Sequence, residues 1–169
     1  KCLADYPKMP EPVEDGDTFQ ANAVKKALYY GRGFDVCCVA DDSGLVVDAL
    51  GGAPGVLSAR YAGEGATYED NCRKLLHELK GIPPERRTAR FVTVAALALP
   101  EGDVRIAHGI LEGLIAETPA GLQGFGYDPV FFVPELGKTL AELAPAEKNR
   151  ISHRARAFTK LREMLIGQI

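Results

Sequence analysis

The spacing of apolar positions changes repeatedly along this chain, and the changes mark out its elements. Pro7, Pro10 and Pro12 make the first segment extended and irregular. From Asp17 or Thr18, either of which can cap, the pattern turns helical, with Ala23, Ala27 and Tyr30 on one face and Gly31 as the stop. The continuous apolar run Val36 to Ala40 predicts a strand and Leu45 to Leu50 a second, with Asp41-Asp42-Ser43-Gly44 as a tight turn after the first. Thr67 opens the next helix, with Asp70 in a capping-box position. Tyr68, Cys72, Leu75, Leu76 and Leu79 follow at helical spacing, and Gly81-Ile82-Pro83-Pro84 ends that helix. Thr88 to Leu99 is β-branched and apolar, a long strand turned by Pro100-Glu101-Gly102-Asp103 into Val104 to Glu117. Gly109 and Gly113 within the latter predict a bulge or a bend. A glycine-rich loop, Thr118 to Pro129, leads to a short buried strand, Val130 to Val133. The last helix follows Pro145, with Ile151, Ala155, Phe158, Leu161 and Leu165 on its inner stripe and Gly167 past its end. Strands and helices are interspersed without strict alternation. That order predicts an α/β domain with a central mixed β-sheet flanked by helices.

Composition narrows the class. The 169 residues, 46% apolar and 25% charged, suit one soluble domain able to bury a core. A net charge of -3 argues against a general nucleic-acid binder. No apolar run reaches the length of a membrane span, so no membrane partner is expected. The four cysteines form no Cys-x-x-Cys pair and the three histidines are scattered, which makes zinc a poor expectation. Cys37 and Cys38, on an apolar strand, read as buried thiols suited to a reducing cytoplasmic setting.

Three constellations could carry chemistry. Asp41 and Asp42 follow an apolar run and precede Ser43-Gly44, and a hard cation such as Mg²⁺ favours carboxylate oxygens next to phosphate. Only one of two adjacent strand residues can face a given cleft, and an isolated Asp-Asp more often caps a turn. Arg60 adds a fixed positive charge, and Gly51, Gly52, Gly55 and Gly63 suggest close backbone approach. Glu11, Glu14 and Asp15 offer a further acid from the loop before the first helix. In Gly124-Phe125-Gly126-Tyr127-Asp128-Pro129, glycines flanking an aromatic expose a flat face and bare amides. That suits a purine ring as well as it suits a turn whose aromatics plug the core. In the basic stretch Glu147 to Arg156, Lys148, His153 and Arg154 could converge at a helix start, where anions are favoured. A solvated basic face is the plainer reading. His77 and His108 are assigned to structure.

Taken together and in order, these blocks resemble the inosine triphosphatase family, also called Ham1-like proteins. The matching stretches are Asp15-Gly16-Asp17-Thr18-Phe19 with Asn22-Ala23, then Ala40 to Gly63, and Arg90-Phe91. They continue with Gly124 to Pro129, Gly137-Lys138-Thr139 with Ala141-Glu142, Glu147-Lys148-Asn149, and Ser152-His153-Arg154-Ala155. The resemblance implies a two-lobed α/β fold with a substrate cleft between the lobes, a cytoplasmic homodimer, and Mg²⁺-dependent hydrolysis of the purine nucleoside triphosphates ITP, dITP and XTP to monophosphate and pyrophosphate. It implies Asp42 as general base and metal ligand, with Glu14 (or Glu11) as the second ligand. Ser43, Phe125, Gly126, Tyr127, Asp128, Lys148, His153 and Arg154 would contact substrate, Lys148 at either the phosphates or the base edge. His153 and Arg154 would donate to the oxygen at C6 of hypoxanthine or xanthine. Family members begin with a strand and a Ser/Thr-x-Asn-x-x-Lys phosphate loop that would precede Lys1, so residues 1–169 are expected to be one N-terminally truncated domain that folds poorly or turns over very slowly. The competing readings are a Maf-like pyrophosphatase for pyrimidine or modified nucleotides, and a non-catalytic nucleotide-binding fragment.

Overall fold

The computed structural model describes residues 1–166. Its first helix, α1 (Phe19–Phe34), is capped by Thr18, whose Oγ1 accepts the Ala21 amide at 3.1 Å. The helix runs past Gly31, the expected stop, and ends at Asp35, which adopts the left-handed conformation with φ 52°. Gly31 serves proximity instead: a Cβ there would lie 3.3 Å from the Val36 carbonyl oxygen and 3.4 Å from the Cys38 Cβ.

The sheet contains β1 (Cys38–Val47), β2 (Thr88–Ala98), β3 (Val104–Ile115), β4 (Phe131–Val133) and β5 (Lys138–Thr139), ordered β1-β2-β3-β4-β5. Helices flank it, as expected of the α/β class. Every pairing among the described residues is antiparallel, however, where a mixed sheet was expected. For the central pair the connection explains the difference. β2 and β3 are joined by residues 99–103 alone, and a parallel pair would need a crossover of a dozen or more residues. β1 is also one strand and not two. Its acids pair through the ladder, Asp41 opposite Ala95 and Asp42 opposite Val94, so the expected tight turn is absent.

Gly109 and Gly113 interrupt nothing: β3 pairs in continuous register, Gly109 opposite Thr93 and Gly113 opposite Ala89. These glycines admit neighbouring backbone. A Cβ on Gly109 would sit 1.9 Å from the His153 carbonyl oxygen, and one on Gly113 would sit 2.5 Å from that of Phe132.

The pleat divides the packing. On one face Val94, Ala96 and Ala98 meet Ala23 and Ala27 of α1. On the other, Ala95, Leu97 and Ala107 meet Ala157 and Leu161. The largest core lies toward the Leu45 end of the sheet, where Leu45, Phe91 and Phe131 pack with Leu75 and Leu79 from and just beyond α2 (Tyr68–Glu78). The expected capping box opens α2: the Asp70 amide donates to Thr67 Oγ1 at 3.1 Å and the Thr67 amide to Asp70 Oδ2 at 3.0 Å.

The C-terminal helix is broken. Ser152 is extended (ψ 147°) and separates α3 (Pro145–Ile151) from α4 (His153–Ile166). The break resets the helical phase, so the buried stripe is His153, Ala157 and Leu161, while Phe158 and Leu165 are exposed. Of the expected stripe only Leu161 is fully buried, and Gly167 lies outside the described residues. Cys37 is exposed and Cys38 half-buried, against expectation, because the run from Val36 sits at the outer end of an edge strand. Among the described residues no helix is long and apolar enough to cross a membrane.

A Gly109→Ala substitution is expected to destabilise the protein by about 3 kcal/mol or more, since the added carbon must displace helix backbone. Urea unfolding of the variant measures this, and a loss under 1 kcal/mol would show that α4 can yield.

Candidate functional site

Strand alternation sends the adjacent acids of β1 to opposite faces. Asp41 points to the α4 side. Its Oδ2 accepts from Ser43 Oγ at 2.9 Å and from Arg154 Nε at 3.0 Å. Ser43 in turn hydrogen-bonds the fully buried Thr93 at 2.7 Å. Asp42 points to the α1 side, where Asn22 donates to Oδ2 at 3.1 Å and Lys26 to Oδ1 at 3.3 Å.

On the Asp41 side a cavity of about 200 Å³ is walled by Ser43, Tyr68, Phe125, Lys148, His153 and Arg154. Gly126, Tyr127 and Asp128 complete it. A second cavity of about 300 Å³ adjoins it across Phe125, Lys148, His153 and Arg154. Asp128 is buried, ion-pairs with Lys148 and accepts the Phe125 amide at 2.7 Å. Only glycine fits at position 124: φ is +78°, and a Cβ would stand 2.0 Å from Asp128 Oδ2. Phe125 itself is exposed, with Lys148 Nζ 4.6 Å and Arg154 Cζ 5.9 Å from its ring centre.

His153 is buried and lies flat on Phe91, ring centres 4.7 Å apart at 9°. Burial, with the Arg154 and Lys148 cations nearby, pushes its imidazole down to about 4, so it is neutral near pH 7. Among the described residues its Nδ1 has no hydrogen-bond partner.

On the Asp42 side Lys26 holds two carboxylates, with Glu14 Oε1 at 2.7 Å and Asp42 Oδ1 at 3.3 Å. Burial alone would lower the Lys26 ammonium, but the two acids outweigh it and raise it above its ordinary value. Burial raises Asp42, and Lys26 and Asn22 offset only part of the effect. Asn22 also accepts the Gly16 amide at 2.8 Å, which ties the acidic loop to α1. Arg60 Nη2 reaches the Glu14 carbonyl at 3.5 Å, and Asp15 is engaged by Lys25 at 2.6 Å.

The structure therefore brings Ser43, Phe125, Gly126, Tyr127, Asp128, Lys148, His153 and Arg154 to one cavity, and Asp42 with Glu14 to a neighbouring cluster. Lys148 stands in the cavity wall. The two aromatics of the glycine loop divide the roles left open between them: Phe125 is the exposed face, while Tyr127 is buried and donates to the Ser58 carbonyl at 2.9 Å.

Gly51, Gly52, Gly55 and Gly63 all have positive φ with open space, or nothing nearer than 3.9 Å, where a Cβ would go. They are turn residues and not points of close approach. Gly44 is the close approach, since a Cβ there would meet the Gly55 carbonyl oxygen at 2.5 Å.

Sequence reasoning gave no site role to three residues, of which Asn22 was quoted only within a matching stretch. Lys26 and Asn22 stand four apart on α1, a one-face spacing that could have drawn attention to them. Asn71 is buried on α2, accepting the Ala62 amide at 2.7 Å and donating to the Ala59 carbonyl at 3.1 Å, and thereby shapes the cavity rim. A polar residue within the helical pattern was its signal.

Fold and site together define an α/β protein in which aromatic and basic side chains line one cavity. The chain belongs to the Ham1 family, whose profile matches residues 1–164. A dITP/XTP pyrophosphatase of Shouchella clausii is 54% identical over 99% of this chain and 84% of its own length. One of Geobacillus kaustophilus is 56% identical over 96% of this chain and 80% of its own length. The structure of the Staphylococcus aureus Ham1 protein superposes with a TM-score of 0.89 at 40% identity, covering 99% of this chain and 84% of that one.

The buried neutral His153 predicts a pH-dependent stability. With its folded value depressed from 6.5 to about 4, the unfolded chain takes up a proton that the folded protein does not. Stability should fall by an amount of the order of 3 kcal/mol as pH drops through that window, and this group adds no dependence above it. Urea unfolding across the window measures the slope. His153→Phe should flatten it, and an unchanged slope in the variant would assign it to other groups.

Proposed function

We propose that this chain hydrolyses ITP, dITP and XTP to the monophosphate and pyrophosphate. The observation that carries the reading is the split served by β1: an aromatic, cation-walled cavity on one face, and the Asp42 cluster on the other. The names of the Shouchella and Geobacillus relatives point the same way. A cytoplasmic homodimer belongs to the same proposal.

A cation suits the Asp42 cluster. Two carboxylates share one ammonium there, so the cluster keeps a net negative charge. Among the described residues no group of three or more acids, histidines or cysteines could hold a metal, but one or two carboxylates with phosphate oxygens suffice for Mg²⁺. Asp42 and Glu14 would hold Mg²⁺, which when bound supplies charge neutralisation to the triphosphate.

The chain's own groups account for the rest. Phe125 offers a face for the purine ring, and Arg154 donates to the oxygen at C6. His153, being neutral, carries one ring N–H to give and one nitrogen to accept. Adenine presents an amino group where hypoxanthine presents the oxygen, so it leaves the Arg154 donors unpaired. Lys148, fixed by Asp128, closes the cavity wall.

On the other face Asn22 and Lys26 orient the Asp42 carboxylate. Partial burial raises the proton affinity of Asp42, which suits a general base. A water oxygen bonds to the α-phosphorus and its proton passes to Asp42. The bond from the α-phosphorus to the bridging oxygen breaks, and pyrophosphate leaves with that electron pair.

Pyrophosphate release from ITP, dITP, XTP, ATP, dTTP and UTP tests this. Turnover of the first three well above the others is expected, whereas dominant hydrolysis of dTTP or UTP would indicate a pyrimidine enzyme. Asp42→Asn should lower kcat by about 10²–10⁴ with KM little changed, and undiminished turnover would remove Asp42 as base. Chelation of divalent ions should abolish activity, with Mg²⁺ restoring it. Glu14→Gln should raise the Mg²⁺ concentration required, in an activity titration against the wild type.

A further inference from the structure

Asp41 has no part in the reaction described so far, yet it is placed between the strand and the cavity wall. Its carboxylate is mostly sheltered and receives two hydrogen bonds at one oxygen, from Ser43 and from Arg154 Nε. Ser43 is itself held by Thr93, a fully buried residue of the neighbouring central strand. The chain Thr93–Ser43–Asp41 is thus anchored in the sheet at one end and grips the Arg154 guanidinium at the other. Arg154 starts from the first turn of α4 on a long side chain that is otherwise half-exposed. Left alone, such a side chain samples many rotamers, and ordering it on ligand binding would cost affinity.

The point of attachment is informative. Asp41 takes the Nε donor, and among the described residues the two terminal amino groups of Arg154 make no hydrogen bond. The Nε bond restrains the guanidinium beside Phe125, in the cavity wall, without using its outer fork. A restrained pair of donors suits recognition of an exocyclic carbonyl oxygen.

The geometry points to Asp41 as the positioning residue for base selectivity: it holds Arg154 so that the free edge of the guanidinium faces the C6 substituent of the purine. Asp42 and Asp41 thus divide the work by face, one acid toward the phosphate chemistry and its neighbour toward reading the base. The inference rests on the cavity being the base site, as proposed above.

A double-mutant cycle tests it in the intact chain. Asp41→Asn, Arg154→Ala and the double variant are assayed for kcat/KM on ITP and on ATP. The expected result is that Asp41→Asn lowers the ITP-to-ATP ratio about tenfold, as the loss of a charge-assisted contact would, and that it changes this ratio no further once Arg154 is gone. A disturbance of neighbouring Asp42, or of stability, would instead lower both substrates in proportion and leave the ratio intact. The coupling is a difference between two backgrounds, so a general loss of folded protein cancels. An unchanged ratio in Asp41→Asn, or an equal effect with and without Arg154, overturns the inference while leaving the function standing. A wild type with no preference for ITP over ATP overturns the base-site reading and this inference with it.

Discussion

The pleat of a single strand organises this molecule. β1 is packed by α1 on one face and approached by α4 on the other, and successive side chains must alternate between them. Two adjacent aspartates in such a strand cannot share a pocket. Each therefore reaches a different helix and a different cation, Asp41 with Arg154 and Asp42 with Lys26. A slip of one residue in register would exchange the two environments and bury both carboxylates against the wrong partners. The ladder with β2, continuous from Cys38 opposite Ala98 to Val47 opposite Ala89, holds that register.

The helices can serve as partners because the sheet lets them come close. Alanines line both contacts, and Gly109 leaves out a Cβ that would hold α4 away from β3. α4 begins at His153, so the same close approach sets His153 on Phe91 and brings Arg154 within reach of Asp41. Packing at a structural glycine and the layout of the cavity are one constraint.

Charge pairing then orders the site. Lys26, Lys148 and Arg154 each rest on a carboxylate, and the acids of Lys26 and Lys148 also accept from an asparagine side chain or a backbone amide. Half-buried charges need such partners, since an unpaired one would be expensive to desolvate. The result is a set of cations held in place before any ligand arrives, which is the arrangement that favours binding or stabilising developing negative charge. His153 is the exception: burial first, and then the Arg154 and Lys148 cations, outweigh the Asp41 carboxylate, so it stays neutral.

Much of this was legible in the sequence. Periodicity located α1, α2, the β2–β3 hairpin and the short buried strand. The ordered blocks from Asp15 to Ala155 carried the family resemblance and nearly every residue of the cavity. What escaped was whatever depends on a neighbour distant in the chain. A polar tetrad looks like a turn until β2 pairs with it residue by residue. A glycine in a strand looks like a bulge until the helix that fills its missing side chain is in place. A run of helical residues looks continuous until an extended Ser152 shifts its phase. Local patterning thus determined which elements form and which residue types were available for chemistry, because those follow from spacing along the chain. Tertiary structure alone decided which acid meets which cation, because that is set by sheet register and helix approach, quantities no local pattern contains.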